Sequence, residues 1–75
     1  MFTVVVYDVV MSGRELAKYA ERKGWRFVRH GHGSHDIYAH EDYPYIVSIP
    51  MHGSKDIPVG TAAILKKQID GTWRR

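Results

Sequence analysis

No cysteine occurs among the 75 residues, and in so short a chain this decides how the fold must be held together. A domain of this size buries only about 60% of the surface of its unfolded chain, so its core is small and its stability marginal. Neither disulfide bonds nor thiolate metal sites can supplement that core. The chain therefore has to form one domain in which helices pack onto a sheet.

The charge balance is mildly basic. Eleven Lys and Arg stand against eight Asp and Glu, with five His in addition, for a net charge of +3. This excess is compatible with an anionic partner such as RNA, although many proteins without such a partner carry as much. No segment reaches the roughly 20 apolar residues that a membrane span needs. Residues 1–10 lack the basic start and the cleavage site of a signal peptide, so a cytoplasmic location is expected.

The clearest local signal is a helix start. Ser12 and Glu15 have the spacing of a capping box, and Met11 and Leu16 have that of a hydrophobic staple. We expect a helix over residues 13–23, ended by Gly24. Its inner face is predicted to carry Leu16, Tyr19 and Ala20.

Three strands and a second helix are expected to follow. The strands are predicted over residues 25–30, 35–39 and 43–49, with a glycine-rich turn at 31–34 and a polar turn at 40–42. The second helix is predicted to begin near Asp56 as its cap, with Pro58 in the first turn, and to stop at Gly71. Its inner stripe is predicted to be Ala62, Leu65 and Ile69, with Ile64 beside it.

The predicted order, helix, three antiparallel strands and helix, is that of a two-layer α+β fold. The organisation is therefore an N-terminal apolar extension over residues 1–10, a domain over 11–70 and a tail over 71–75. Residues 1–10 have the composition of a strand. Two interpretations of them stay open: a fourth strand or pairing edge, and a dispensable extension.

A series of short motifs runs along residues 11–69. The pieces are Arg14-Glu15-Leu16, Gly24-Trp25, Gly33-Ser34-His35, Ile49-Pro50-Met51-His52-Gly53, Gly60-Thr61 and Ile64-Leu65-Lys66. Taken together, the series resembles the HicA toxin family. No single piece is specific, but their order and spacing follow those of the family. The chain departs from the family in its ten-residue leader and in Ile69-Asp70-Gly71, where relatives more often end in Ala-Gly-Leu.

The resemblance implies both a fold and an activity. The fold is similar to the double-stranded-RNA-binding domain. The activity is that of a toxin of a type II toxin–antitoxin system, an endoribonuclease that cleaves mRNA and is neutralised by a HicB-type antitoxin. The catalytic histidine of the family corresponds to His35, and we expect the antitoxin to cover it.

Histidine chemistry fits this position. RNA is cut when its 2′-hydroxyl attacks the adjacent phosphate, which requires one group to take a proton and another to supply one. Imidazole exchanges protons near neutral pH, so we predict acid/base catalysis by His35 with neither metal nor cofactor. Backbone N–H groups of Gly33 and Ser34 are candidates for stabilising the phosphate, and Ser34 for orienting the imidazole. The second catalytic group stays open among Arg29, His32, His52 and Lys55.

The histidines, aromatic residues and basic pairs also permit other interpretations. His30, His32 and His35 suggest a zinc site, but alternate strand residues point to opposite faces and no fourth ligand is evident. Aromatic side chains and basic pairs are candidate RNA contacts, although strand aromatics in so small a domain more often belong to the core and such charges more often only face solvent. The candidates are Trp25, Phe27, Tyr43, Tyr45, Lys66-Lys67 and Arg74-Arg75. The alternative functions are a non-catalytic RNA-binding module and a subunit that acts through pairing at residues 1–10.

Overall fold

The computed structural model describes residues 11–51 and 56–72. It contains helix α1 (Gly13–Arg22), strands β1 (Arg26–His30), β2 (His35–Ala39) and β3 (Val47–Pro50), and helix α2 (Val59–Asp70). The predicted order of elements is confirmed. The expectations for residues 1–10 and for the end of the tail concern parts of the chain outside the described residues.

The predicted capping box starts α1. The Glu15 N–H donates to Ser12 Oγ at 3.2 Å, and the Ser12 N–H donates to Glu15 Oε1 at 3.0 Å. The helix is one residue shorter than predicted, since Lys23 is its C-cap. Gly24 follows with a φ of 94°, a left-handed conformation that glycine adopts without steric cost, so the predicted stop is confirmed.

The three strands form one antiparallel sheet in the order β1-β2-β3. Strand β1 starts one residue later than predicted, because the Trp25 N–H donates to the Ala20 carbonyl and so belongs to the helix end. A bulge between Phe27 and Arg29 shifts the register of β1. All five residues of β1 are exposed.

Strand β3 is shorter than predicted, and residues 43–46 lie outside it. Pro44 has no N–H to donate to a ladder, which disfavours a continuous strand there. Tyr43 and Tyr45 nevertheless pack against the core. The Tyr43 ring stacks on Trp25 with centroids 5.5 Å apart.

The predicted start of α2 at Asp56 is wrong. The helix begins at Val59 with Pro58 as its N-cap and without a side-chain cap. A proline disfavours helical conformation in the residue before it, so Ile57 favours an extended conformation. Its N–H donates to the Met11 carbonyl, and Asp56 forms a β-bridge with Ser12. At the other end Gly71 adopts a φ of 78°, which confirms the predicted stop.

Both helices contact β3 and each other, and the core lies between them and the sheet. The core contains the predicted Leu16, Ala20, Ala62, Leu65 and Ile69, together with Ala17, Trp25, Tyr38, Val47, Ile49 and Ile57. Tyr19 packs at its margin, and Ile64 points away with 52% of its surface exposed. Neither helix in the described part of the chain is long and apolar enough to cross a membrane.

Aromatic side chains also complete the ends of the helices. The Trp25 indole N–H donates to the Ile69 carbonyl at 3.0 Å, and the Tyr45 hydroxyl donates to the Gln68 carbonyl at 2.7 Å. His40 Nε2 lies 3.1 Å from the Lys23 carbonyl. The last carbonyls of a helix lack the partner that a following turn would provide, so these contacts supply one. The Gln68 carbonyl also accepts the Gly71 N–H.

Candidate active site

The pairing register assigns side chains to the two faces of the sheet. Directly paired residues of antiparallel strands share a face, and successive residues alternate. Tyr38 pairs with Val47 and Asp36 with Ile49, and Tyr38, Val47 and Ile49 are buried beneath the helices. The opposite face carries Arg26, Arg29, His35, Ile37 and Ser48, and we call it the far face.

His35 is the first residue of β2 and is half-buried on the far face. Its Nδ1 lies 2.9 Å from the Ser48 Oγ, within hydrogen-bond distance. A serine hydroxyl can either donate or accept, so either tautomer of the imidazole can form this bond. The contact restricts rotation of the ring about its side-chain bonds.

The turn before His35 is tied to both neighbouring strands. The Gly31 N–H donates to the His35 carbonyl at 2.6 Å, and the His35 N–H donates to the His32 carbonyl at 3.3 Å. The Met51 N–H donates to the Ser34 carbonyl at 2.8 Å. Gly33 has a φ of 65°, a conformation that side-chain-bearing residues rarely adopt. The backbone of the Gly-Ser-His motif is therefore fixed by its own turn and by the end of β3.

A depression surrounds the imidazole of His35, and we call it the His35 depression. Its lining consists of Arg29, Gly31, His32, His35, Ile37, Ile46 and Ser48. Among the described residues, the polar part of this lining holds a guanidinium, two imidazoles and a hydroxyl, and no carboxylate. Such a set suits an anion, since Arg provides planar donors that match phosphate oxygens.

The site residues proposed from the sequence thus fall into three sets. Arg29 and His32 line the same depression as His35, while Gly33 and Ser34 form the adjoining turn. His52 and Lys55, the remaining candidates for the second catalytic group, lie outside the described residues. The roles of all these residues stay predictions.

Two histidines are separated from His35. His30 pairs with Asp36 on the helix side of the sheet, and its Nδ1 lies 2.8 Å from the Asp36 Oδ1. The zinc interpretation required His30 and His35 together, but the register places them on opposite faces. His40 accepts the Asp42 N–H at Nδ1 (3.0 Å), so its proton is on Nε2. Its Nε2–H therefore donates to the Lys23 carbonyl at the end of α1.

The described aromatic and basic side chains that were proposed as RNA contacts also lie away from the His35 depression. Trp25 is 1% exposed and belongs to the core, which confirms the more frequent role of a strand aromatic and contradicts the alternative of base stacking. Tyr43 and Tyr45 pack on the same cluster, and Phe27 shares the helix-side face with Tyr38. Lys66 lies over the Tyr19 ring, 5.0 Å from its centroid. None of the five side chains lines the His35 depression.

Sequence reasoning did not identify Ser48, Ile37 or Ile46 as site residues. Ser48 is the only polar residue within the stretch Val47–Pro50, and alternation along this strand puts it opposite the core. Pairing it with His35 requires the register between β2 and β3, which no local pattern specifies. The sequence signal that could have identified Ser48 is its position as a polar residue between two apolar strand residues.

The chain is thus a small two-layer α+β domain in which His35 and His32 line a depression on the far face of the sheet. Residues 13–70 match the model of the family described as HicA toxin of bacterial toxin-antitoxin. The match covers more than half of the chain, which therefore belongs to the HicA toxin family. Its fold agrees with the one that the resemblance implies, and membership makes it a toxin-antitoxin toxin with an antitoxin partner. No curated protein matches the sequence significantly.

Proposed function

We propose that this toxin is a metal-independent endoribonuclease that cleaves mRNA by proton transfer at His35. The observation that carries the proposal is the contact of the His35 Nδ1 with the Ser48 Oγ, inside a depression that Arg29 and His32 also line. It combines a proton-transfer group, a restraint on that group and cationic donors for a phosphodiester. An mRNA substrate implies that the toxin acts in the cytoplasm.

The reaction is a transfer within the RNA. The 2′-oxygen attacks the adjacent phosphorus and loses its proton to a base, while the bond from phosphorus to the 5′-oxygen breaks. The departing 5′-oxygen takes a proton from an acid, which leaves a 2′,3′-cyclic phosphate and a 5′-hydroxyl. His35 fits one of the two proton-transfer roles, and Arg29 is placed to offset charge on the phosphorane. Of the candidates for the second proton-transfer role that lie within the described residues, we assign His32, because Arg29 is assigned to the charge of the phosphorane.

The chain offers a matched control for the catalytic test. His35→Ala should abolish cleavage of a synthetic RNA, while His30→Ala should keep the rate of the parent, because His30 lies on the other face of the same hairpin. Cleaved ends should carry the cyclic phosphate, and EDTA should leave the rate unchanged. Parental cleavage by His35→Ala would overturn the assignment. Salt-dependent RNA binding without cleavage by the parent would favour the non-catalytic RNA-binding alternative.

The antitoxin is proposed to be of the HicB type and to cover His35. Diethylpyrocarbonate modifies accessible imidazoles, so mass spectrometry of the treated protein can map the covered histidines. In the complex we expect His35 to be protected and His30, whose side chain is 82% exposed in the free chain, to remain reactive. A complex that neutralises the toxin while His35 reacts as in the free chain would contradict this mode of inhibition.

A further inference from the structure

We infer that the His35 depression binds an unpaired nucleobase against Ile46, so that this isoleucine helps to select single-stranded RNA. The inference rests on the proposed ribonuclease function and extends it to a substrate contact. Ile46 precedes β3 and is 54% exposed. It lines the depression together with Ile37, which is 7% exposed.

These two side chains lie apart from the main core. The buried cluster beneath the helices includes Val47 and Ile49 but neither Ile37 nor Ile46. Gly31 covers part of Ile37, since a Cβ added to that glycine would lie 2.9 Å from the Ile37 Cδ1. The depression therefore has an apolar floor formed by Ile37 and a partly exposed apolar wall formed by Ile46.

Exposure of one isoleucine is ordinary on a protein surface and would not by itself indicate a ligand. Here the exposed side chain lines a depression together with Arg29 and two imidazoles, and the described part of the lining includes no carboxylate. Small-molecule sites combine apolar walls with a few polar groups that orient the ligand. A nucleotide has this composition, with an anionic phosphate joined to a flat base of low polarity on its faces.

The occupant has to be an unpaired base. In a duplex both faces of a base are covered by stacking, and an A-form helix presents edges, sugars and phosphates to a protein. A single strand exposes the face of the base, which an apolar side chain can cover while Arg29 contacts the phosphate. The depression thus favours single strands through Ile46, beyond the attraction that its cations exert on any nucleic acid.

Binding of two oligodeoxynucleotides tests the inference. One carries bases and the other is the abasic chain of the same length, so both present the same phosphates and lack the 2′-hydroxyl needed for cleavage. The parent should prefer the strand with bases. Ile46→Ser should reduce that preference about five-fold, as expected for the loss of roughly half of a buried isoleucine contact. Ile46→Leu should keep it.

Ile64→Ser is the matched control, because Ile64 is 52% exposed on α2, in the other layer of the fold. It should bind both strands as the parent does. Equal preference in the parent and in Ile46→Ser would overturn the inference, as would an equal loss of affinity for the abasic strand. Neither result bears on His35, whose role is decided by RNA cleavage alone, so the two proposals can fail separately.

Discussion

The imidazole of His35 and the hydroxyl of Ser48 meet across two neighbouring strands, 2.9 Å apart. Ser48 pairs directly with Ile37 and His35 pairs with Pro50, so the two polar side chains are diagonal neighbours on one face of the sheet. The hydrogen bond at Nδ1 orients the imidazole ring, and the position of the Ser48 hydroxyl is in turn set by the backbone of β3. The contact makes Ser48 a positioning residue for the proposed reaction.

Replacing Ser48 tests that role. Ser48→Ala should lower kcat for RNA cleavage about three- to ten-fold, the range expected when one neutral hydrogen bond is lost. KM should be unchanged, because the hydroxyl acts on His35 rather than on the substrate. Ser48→Thr keeps the hydroxyl and should restore kcat. A loss of kcat in both variants, with lowered unfolding midpoints, would indicate a structural role only.

Trp25 is predicted to be the side chain on which stability depends most. It is 1% exposed and donates to the Ile69 carbonyl at the end of α2. Trp25→Phe removes volume from the core and leaves that carbonyl without its donor, so the free energy of unfolding should fall by about 2–4 kcal/mol. Urea unfolding measures it. Tyr45→Phe is the comparison: the Gln68 carbonyl keeps its bond from the Gly71 N–H, so the loss should be nearer 1 kcal/mol.

Replacing each of two glycines by alanine should change the stability of the fold in opposite directions. A Cβ added at Gly33 or Gly60 meets no described atom within 4 Å, so space is not the difference between them. Gly33 has a left-handed backbone, and Gly33→Ala should destabilise the fold by about 1 kcal/mol. Gly60 lies in α2, and Gly60→Ala should stabilise it by about 0.5 kcal/mol, because alanine restricts the unfolded chain. Thermal unfolding of both variants checks the signs.

The raised pKa of Tyr19 predicts that the free energy of unfolding falls at alkaline pH. Its hydroxyl donates to the Asp70 carboxylate, and this bond, with burial and the negative charge of Asp70, raises the pKa of Tyr19 from 10.0 to about 12. Below pH 10 the folded and unfolded chains both hold the proton. Between pH 10 and 12 the unfolded chain releases it first, so stability falls as the pH rises.

The carboxylate is the group to remove. Asp70→Ala should bring the pKa of Tyr19 back toward 10.0 and shrink the alkaline loss of stability, which an NMR titration of the tyrosine rings can follow. Tyr38 is the internal control, because its raised pKa comes first from burial and then from Glu21 and Asp36. A Tyr19 titration that is the same in the parent and in Asp70→Ala would contradict the assigned cause.

Local signals predicted most of the fold. The capping box at Ser12 and the left-handed glycines at Gly24 and Gly71 act within a few residues, so their effects can be read directly from the sequence. The start of α2 was misplaced because Asp56 has the chemistry of a cap. Its segment instead pairs with residues 11 and 12, and that competing partner lies more than forty positions away.

The site was predictable to a smaller extent. His35 was named because its motif resembles that of a family, and the placement of Arg29 and His32 beside it follows from the predicted hairpin. Ser48 and Ile46 reach the same depression only through the pairing of β3 with β2. The register of that pairing depends on which side chains the helices bury, and this is a property of the assembled domain.

Val47 and Ile49, on either side of Ser48, are fully buried. A slip of β3 by one position would turn both of them toward water and drive the serine into the core, so the hydrophobic effect excludes the slipped register. The hydroxyl thus reaches His35 in the same step that closes the core. Folding of this toxin and assembly of the His35–Ser48 pair are therefore coupled, and an antitoxin that covered the far face would meet a pair that is already formed.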